Sequence, residues 1–169
     1  VRLEIIQSFI NAADAVLGQN LRCTTRVHGV CMDREEYRRH GIAATVSLQG
    51  DVEGQVVFDL DAQTARQMAL EFAGSSGDVI SIIHDVVCEL ANLVIGNAVS
   101  VLNDSGYRFR VQPPQITSAG QVPKGTADVE ALVMKFETSR GPVFMNIALR
   151  ARKDFAADCN AASVGHSFV

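Results

Sequence analysis

The stretch from residue 78 to residue 103 constrains the fold more than any other part of this chain. Asp78 is a residue type that caps helices. Behind it Ile82, Ile83, Val86, Val87, Leu90, Leu93, Val94, Ala98, Val101 and Leu102 recur at three- and four-residue steps. That spacing predicts one continuous helix, on the order of 35 Å long at about 1.5 Å per residue. It can cross a whole domain, and its broad apolar face should dock on a sheet.

The remaining periodicity supplies such a sheet. Residues 3–17 place Ile6, Phe9, Ile10, Ala13 and Leu17 on one helical face, which Gly18 can stop. In residues 21–30, Leu21, Cys23, Thr25 and Val27 alternate with polar neighbours as in a strand, and the charged residues after Cys31 read as a solvated loop or short helical turn. Residues 41–50 and 54–60 read as a hairpin joined by residues 51–53 and closed by Gly54. A helix over 61–73 follows, with Asp61 as N-cap and Thr64 as an alternative, burying Ala65, Met68, Ala69 and Phe72. Strands are predicted at 107–112, 129–136 and 143–149, with residues 138–142 turning between the last two, and 116–128 as an extended segment plus loop. The sum is an α+β, two-layer sandwich. A mostly antiparallel sheet of about six strands packs against an N-terminal helix, a short helix and the long central helix. Residues 1–152 are expected to form a single domain and residues 153–169 a flexible tail or a loosely docked terminal helix.

Composition narrows the function. With 47% hydrophobic and 20% charged residues, the 169-residue chain can bury a sizeable core. A net charge of −4 argues against nucleic acid or an anionic membrane as partner. The one dense basic cluster, residues 34–40, is interrupted by Glu35 and Glu36. Cys23, Cys31, Cys88 and Cys159 lack the close pairing of zinc sites, and Cys88 reads as a buried thiol, so a reducing cytoplasm is expected. No run approaches the ~20 uninterrupted apolar residues of a membrane span, and the N-terminal residues carry no secretory-signal pattern. Phosphate-cradling glycine motifs are absent. His28, His40, His84 and His166 never fall at metal-ligand spacing. Asp59 and Asp61 flank a strand end and could take a cation, but capping accounts for Asp61, and no metal site is expected.

The chemistry concentrates on the long helix. Asp85, Glu89, Asn92 and Gly96 share one face, extended by Ser81 and Ser100, with His84 the one basic residue nearby. An ordinary solvent stripe could carry Glu and Asn. Exposed helix faces usually carry Lys and Arg at four-residue steps as well, however, and Gly96 costs about 1 kcal/mol against Ala in a helix interior. The stripe therefore reads as trimmed for close approach by another surface, or Gly96 as permitting a close helix crossing. A carboxylate and a carboxamide one turn apart make a poor acid/base pair, because the amide does not titrate. They can divide labour instead: Glu89 accepts from a partner ammonium, and Asn92 donates and accepts to align a water.

The pattern Glu89-Leu-Ala-Asn92-Leu-Val-Ile-Gly96-Asn97 resembles the E-x-x-N … G-N signature of the CheC/CheX/FliY chemotaxis phosphatases, and the single copy resembles the CheX type. The first helix, with Glu4 and Gln7, lacks a second Asn and Gly-Asn pair. Likeness extends over roughly residues 3–150, including the 51–57 hairpin, Pro113 and Pro114, and the 136–144 segment. This resemblance implies a cytoplasmic phosphatase that removes the phosphoryl group from the aspartyl phosphate of a CheY-like response-regulator receiver. It implies that Glu89 binds a receiver lysine and Asn92 positions the attacking water, with Asp85, Gly96 and Asn97 on the partner-binding surface. Mg²⁺ and the phosphorylated aspartate would come from the receiver, this chain would bind no cofactor, and subunits would pair as a homodimer through sheet edges. The alternative is a non-catalytic binding or scaffold protein for a response regulator. A small-molecule sensor has no convergent polar cluster in its favour.

Overall fold

Apolar residues at helical spacing and at alternate positions segregate into two layers in the computed structural model, which describes residues 3–22, 24–33, 39–73, 79–117 and 131–152. Three helices form one layer: α1 (Leu3–Leu21), α2 (Ala62–Ala73) and α3 (Val79–Asp104). Seven strands form the other: β1 (Thr25–Asp33), β2 (Ile42–Gly50), β3 (Val52–Leu60), β4 (Phe109–Val111), β5 (Gln115–Thr117), β6 (Ala131–Thr138) and β7 (Gly141–Ala151). Their order is β1-β6-β7-β3-β2-β4, with β5 also on β2 beside β4, and every pairing is antiparallel. This is the expected α+β sandwich, with seven strands where about six were predicted.

The core lies between the layers. Val56, Phe58 and Leu60 of β3, Leu132, Met134 and Phe136 of β6, and Met145 and Ile147 of β7 meet Val87, Leu90, Val94 and Ala98 of α3 in one apolar cluster. Alternation turns Val57 and Asp59 to the other face of the sheet. Asp59 is fully buried there, and its carboxylate accepts the backbone N–H groups of His40 (2.6 Å) and Gly41 (3.3 Å). That pair of bonds fixes the entry to β2, and the His40 ring stacks on Phe144 at 3.6 Å. Asp59 thus has a structural role that needs no cation to account for its burial.

Several boundaries differ from expectation for identifiable reasons. α1 runs through Gly18 to Leu21 because Val16, Leu17 and Leu21 are all buried, and core contact outweighs the poor helix propensity of glycine. It buries Phe9, Ala13 and Leu17 as predicted, with Ile5 and Ala12 beside them, while Ile6 and Ile10 are half-buried against the core. Leu21 is therefore helical, Arg22 leaves the helix at φ 48°, and β1 starts only at Thr25, while Cys23 lies outside the described residues. The β2–β3 turn is tighter than residues 51–53. β3 resumes at Val52, and Gly54 sits inside it opposite Leu48, where a Cβ would come within 2.0 Å of the Ala148 carbonyl oxygen. The 138–142 turn shortens likewise to Ser139 and Arg140. Asp61 caps α2 as predicted, its Oδ1 accepting the Thr64 N–H at 2.7 Å, but Phe72 is exposed and Thr64 takes its place in the interior. Val101, assigned to the docking face, is also exposed. The predicted cap Asp78, the loop at 34–38 and the 153–169 tail lie outside the described residues.

By length and mean hydropathy (1.5) the segment Ile80–Asp104 could cross a membrane, although its apolar run is interrupted; half of the window is buried inside the domain, as a core helix requires.

Candidate functional site

Successive residues on a helix advance by about 100°, so positions 85, 89, 92 and 96 fall in one narrow arc of α3. On the opposite arc Val87, Leu90, Ala91, Val94 and Ala98 have no exposed surface. Burial of that arc locks the rotation of the rod and presents Asp85, Glu89 and Asn92 to solvent from a rigid backbone. Gly96 follows one turn beyond Asn92 and is half-buried. Asn97 is exposed but about 100° round from Gly96, on the flank away from Cys88.

A second element stands opposite this stripe. Residues 111–114 run from β4 to β5, and both short strands pair with β2: Val111 opposite Leu48, Gln115 opposite Thr45. Three residues, 112–114, therefore span two on β2, Val46 and Ser47, and the segment bulges. Gln112 still donates its N–H to the Ser47 carbonyl at 2.9 Å. Pro113 and Pro114 have no N–H to donate, so the ladder cannot close across them. The bulge and α3 enclose an open groove of about 590 Å³. Asp85, Glu89 and Asn92 form one wall with Cys88 between them, and residues 111–114 form the other.

The groove is acidic: two carboxylates line it and, among the described residues, no Lys, Arg or His does. Cys88 is half-buried rather than buried, because its side of α3 faces the groove. Burial pushes its thiol above the ordinary value, and the Asp85 carboxylate adds to the shift. Among the described residues no group of three or more His, Cys, Asp and Glu is placed to hold a metal ion. Among the described residues a Cβ built on Gly96 meets nothing within 4 Å, so no described helix of this chain crosses there.

Of the residues singled out in the sequence, Asp85, Glu89 and Asn92 come together in the groove, and Gly96 and Asn97 lie outside its lining. The opposite wall went unread. Its signal was the Pro113-Pro114 pair, which ends one strand and delays the next.

Comparison with known proteins places this geometry. The family profile "Chemotaxis phosphatase CheX" matches residues 42–137, more than half of the chain. No curated protein matches. Among solved structures, the chemotaxis protein CheX of Desulfovibrio desulfuricans is 19% identical with a TM-score of 0.78, over 89% of this chain and 100% of that one. A CheC-like superfamily protein from a Shewanella species is 18% identical with a TM-score of 0.79, over 89% and 100%. A chain of the CheX-CheY-BeF3-Mg²⁺ complex from Borrelia burgdorferi is 26% identical with a TM-score of 0.69, over 88% and 99%. The matched residues include the stripe on α3, the groove wall and strands β2 and β3, and on that match the chain belongs to the CheX family of chemotaxis phosphatases.

Proposed function

We propose that this chain hydrolyses the aspartyl phosphate of a CheY-like response-regulator receiver, with Asn92 and Glu89 as the residues that enter the receiver's site. The observation that carries this reading is the pair itself. A carboxylate and a carboxamide stand one turn apart on an exposed, sheet-backed helix at the mouth of an acidic groove. Neither can run hydrolysis alone, and both suit a reaction whose electrophile belongs to another protein. The Asn92 carboxamide orients a water in line with the phosphorus. The water oxygen forms the new P–O bond, the bond to the receiver's aspartyl oxygen breaks, and inorganic phosphate and a free carboxylate leave. Alignment of a nucleophile in this way is worth several kcal/mol. The Glu89 carboxylate takes a receiver lysine through a charge-assisted hydrogen bond and so fixes the register of the two proteins. Mg²⁺ and the phosphoaspartate belong to the receiver, and the solved Borrelia burgdorferi complex of a CheX with CheY, BeF3 and Mg²⁺ supports assigning them there.

The working unit is taken to be one domain over residues 1–152 acting in the cytoplasm as a homodimer paired through sheet edges. β1 supports the edge assignment. It ends the described sheet with Val27, Val30 and Met32 exposed, an apolar margin that an isolated edge strand would ordinarily replace with charge. Adding the protein to phosphorylated candidate receivers tests the activity: loss of phosphate should accelerate with at least one of them. An unchanged decay rate with every receiver encoded alongside it would leave only the scaffold alternative.

A further inference from the structure

We infer that residues 112–114, with Gln112 as their polar contact, select which receiver docks, while the α3 wall carries out the hydrolysis. This rests on the phosphatase reading above. The groove has two walls of different chemistry. The α3 wall offers charge and alignment. The facing wall offers the Gln112 side chain and the exposed Pro113 ring, beside the half-buried Pro114 and Val111. It is also the stiffer kind of loop for recognition: two prolines fix φ at consecutive positions, and β2 anchors the segment at both ends and through the Gln112 N–H. A wall that is already in place loses little entropy on binding, which favours discrimination between similar partners.

Charge identifies the occupant. One receiver lysine answers Glu89, which leaves Asp85 on the same wall with no basic residue among the described residues of the lining. The groove therefore fits a receiver surface with a second basic side chain next to that lysine. Gln112, across from both carboxylates, meets the flank of the same segment. Receivers that place an acidic residue there should be rejected, since a like charge facing Asp85 and Glu89 is costly to desolvate.

The test is saturation kinetics of dephosphorylation on a panel of phosphorylated receivers with wild type, Gln112→Ala, Gln112→Lys and Asn92→Ala. Gln112 is exposed and its tie to the fold is its backbone N–H, which these substitutions keep, and thermal melts verify this. Gln112→Lys should raise the half-saturating concentration about tenfold for receivers with a basic docking segment, at an unchanged maximal rate. It should raise it less for neutral ones, which reorders the panel, and Gln112→Ala should flatten the preference. A half-saturation that does not move with either Gln112 variant overturns the inference, and so does a fall in maximal rate. Asn92→Ala separates the two levels. If it loses the maximal rate while the Gln112 variants do nothing, only the selective wall fails; if it keeps the maximal rate, the role given to Asn92 fails; and if wild type adds nothing to any receiver's own decay, the phosphatase reading itself fails.

Discussion

Asn92 and Glu89 act through contrast with the residues behind them: each points outward because Leu90, Ala91 and Val94 are fully buried one or two positions away. Gly96 carries the same logic further. Its backbone faces open space, so Gly96→Ala should stabilise the domain by up to about 1 kcal/mol in urea unfolding. The same change should weaken binding to an activated receiver, because the added methyl enters the partner's space. A stabilised variant with unaltered binding would mean that the contact surface stops short of Gly96. Cys88 offers a readout without mutation. Its raised pKa keeps the thiol protonated to higher pH, so the thiolate fraction at any given pH is smaller than for an ordinary cysteine. Alkylation of the Cys88 peptide, followed by mass spectrometry, should be slower at a given pH than for an ordinary exposed cysteine, and slow further when a receiver trapped with BeF3 occupies the groove. Equal alkylation with and without that receiver would place docking elsewhere.

At the scale of elements, helix periodicity was readable where it coincides with burial and misleading where it does not. The long helix, its stripe and the Asp61 cap followed from spacing, since each depends on residues close in sequence. The extension of α1 past Gly18 did not, because what holds Leu21 in the helix is contact with the rest of the core, which no local pattern encodes. The groove was half legible for the same reason. Asp85, Glu89 and Asn92 lie within eight consecutive positions, whereas the opposing wall reaches them only through β4 and β5 pairing with β2. Two substitutions test the energetic account. Asp61→Ala removes the acceptor of the Thr64 N–H and should cost about 1 kcal/mol. Leu90→Ala empties a fully buried site on the sheet-facing arc of α3 and should cost about 2–5 kcal/mol. Both are measured by denaturant titration, and a smaller loss for Leu90→Ala than for Asp61→Ala would contradict the view that the sheet-facing arc holds α3 in place.

At the scale of the molecule, a seven-stranded sheet backs one rod and, among the described residues, ends in an apolar edge at β1. Val30 pairs with Met134 yet remains exposed beyond the helix layer, so Val30→Lys should shift the protein toward monomer in sedimentation velocity without unfolding it. An unchanged sedimentation coefficient would assign the edge no role in association. The proposed function requires the delivery of one carboxamide into a pocket that another protein owns, and a single comparison tests that delivery. Asn92→Ala is titrated against a BeF3-activated receiver and then mixed, at saturating concentration, with the phosphorylated form. Binding within a few-fold of wild type together with phosphate loss at the receiver's own spontaneous rate is the predicted result; wild-type rates of phosphate loss from Asn92→Ala would contradict it.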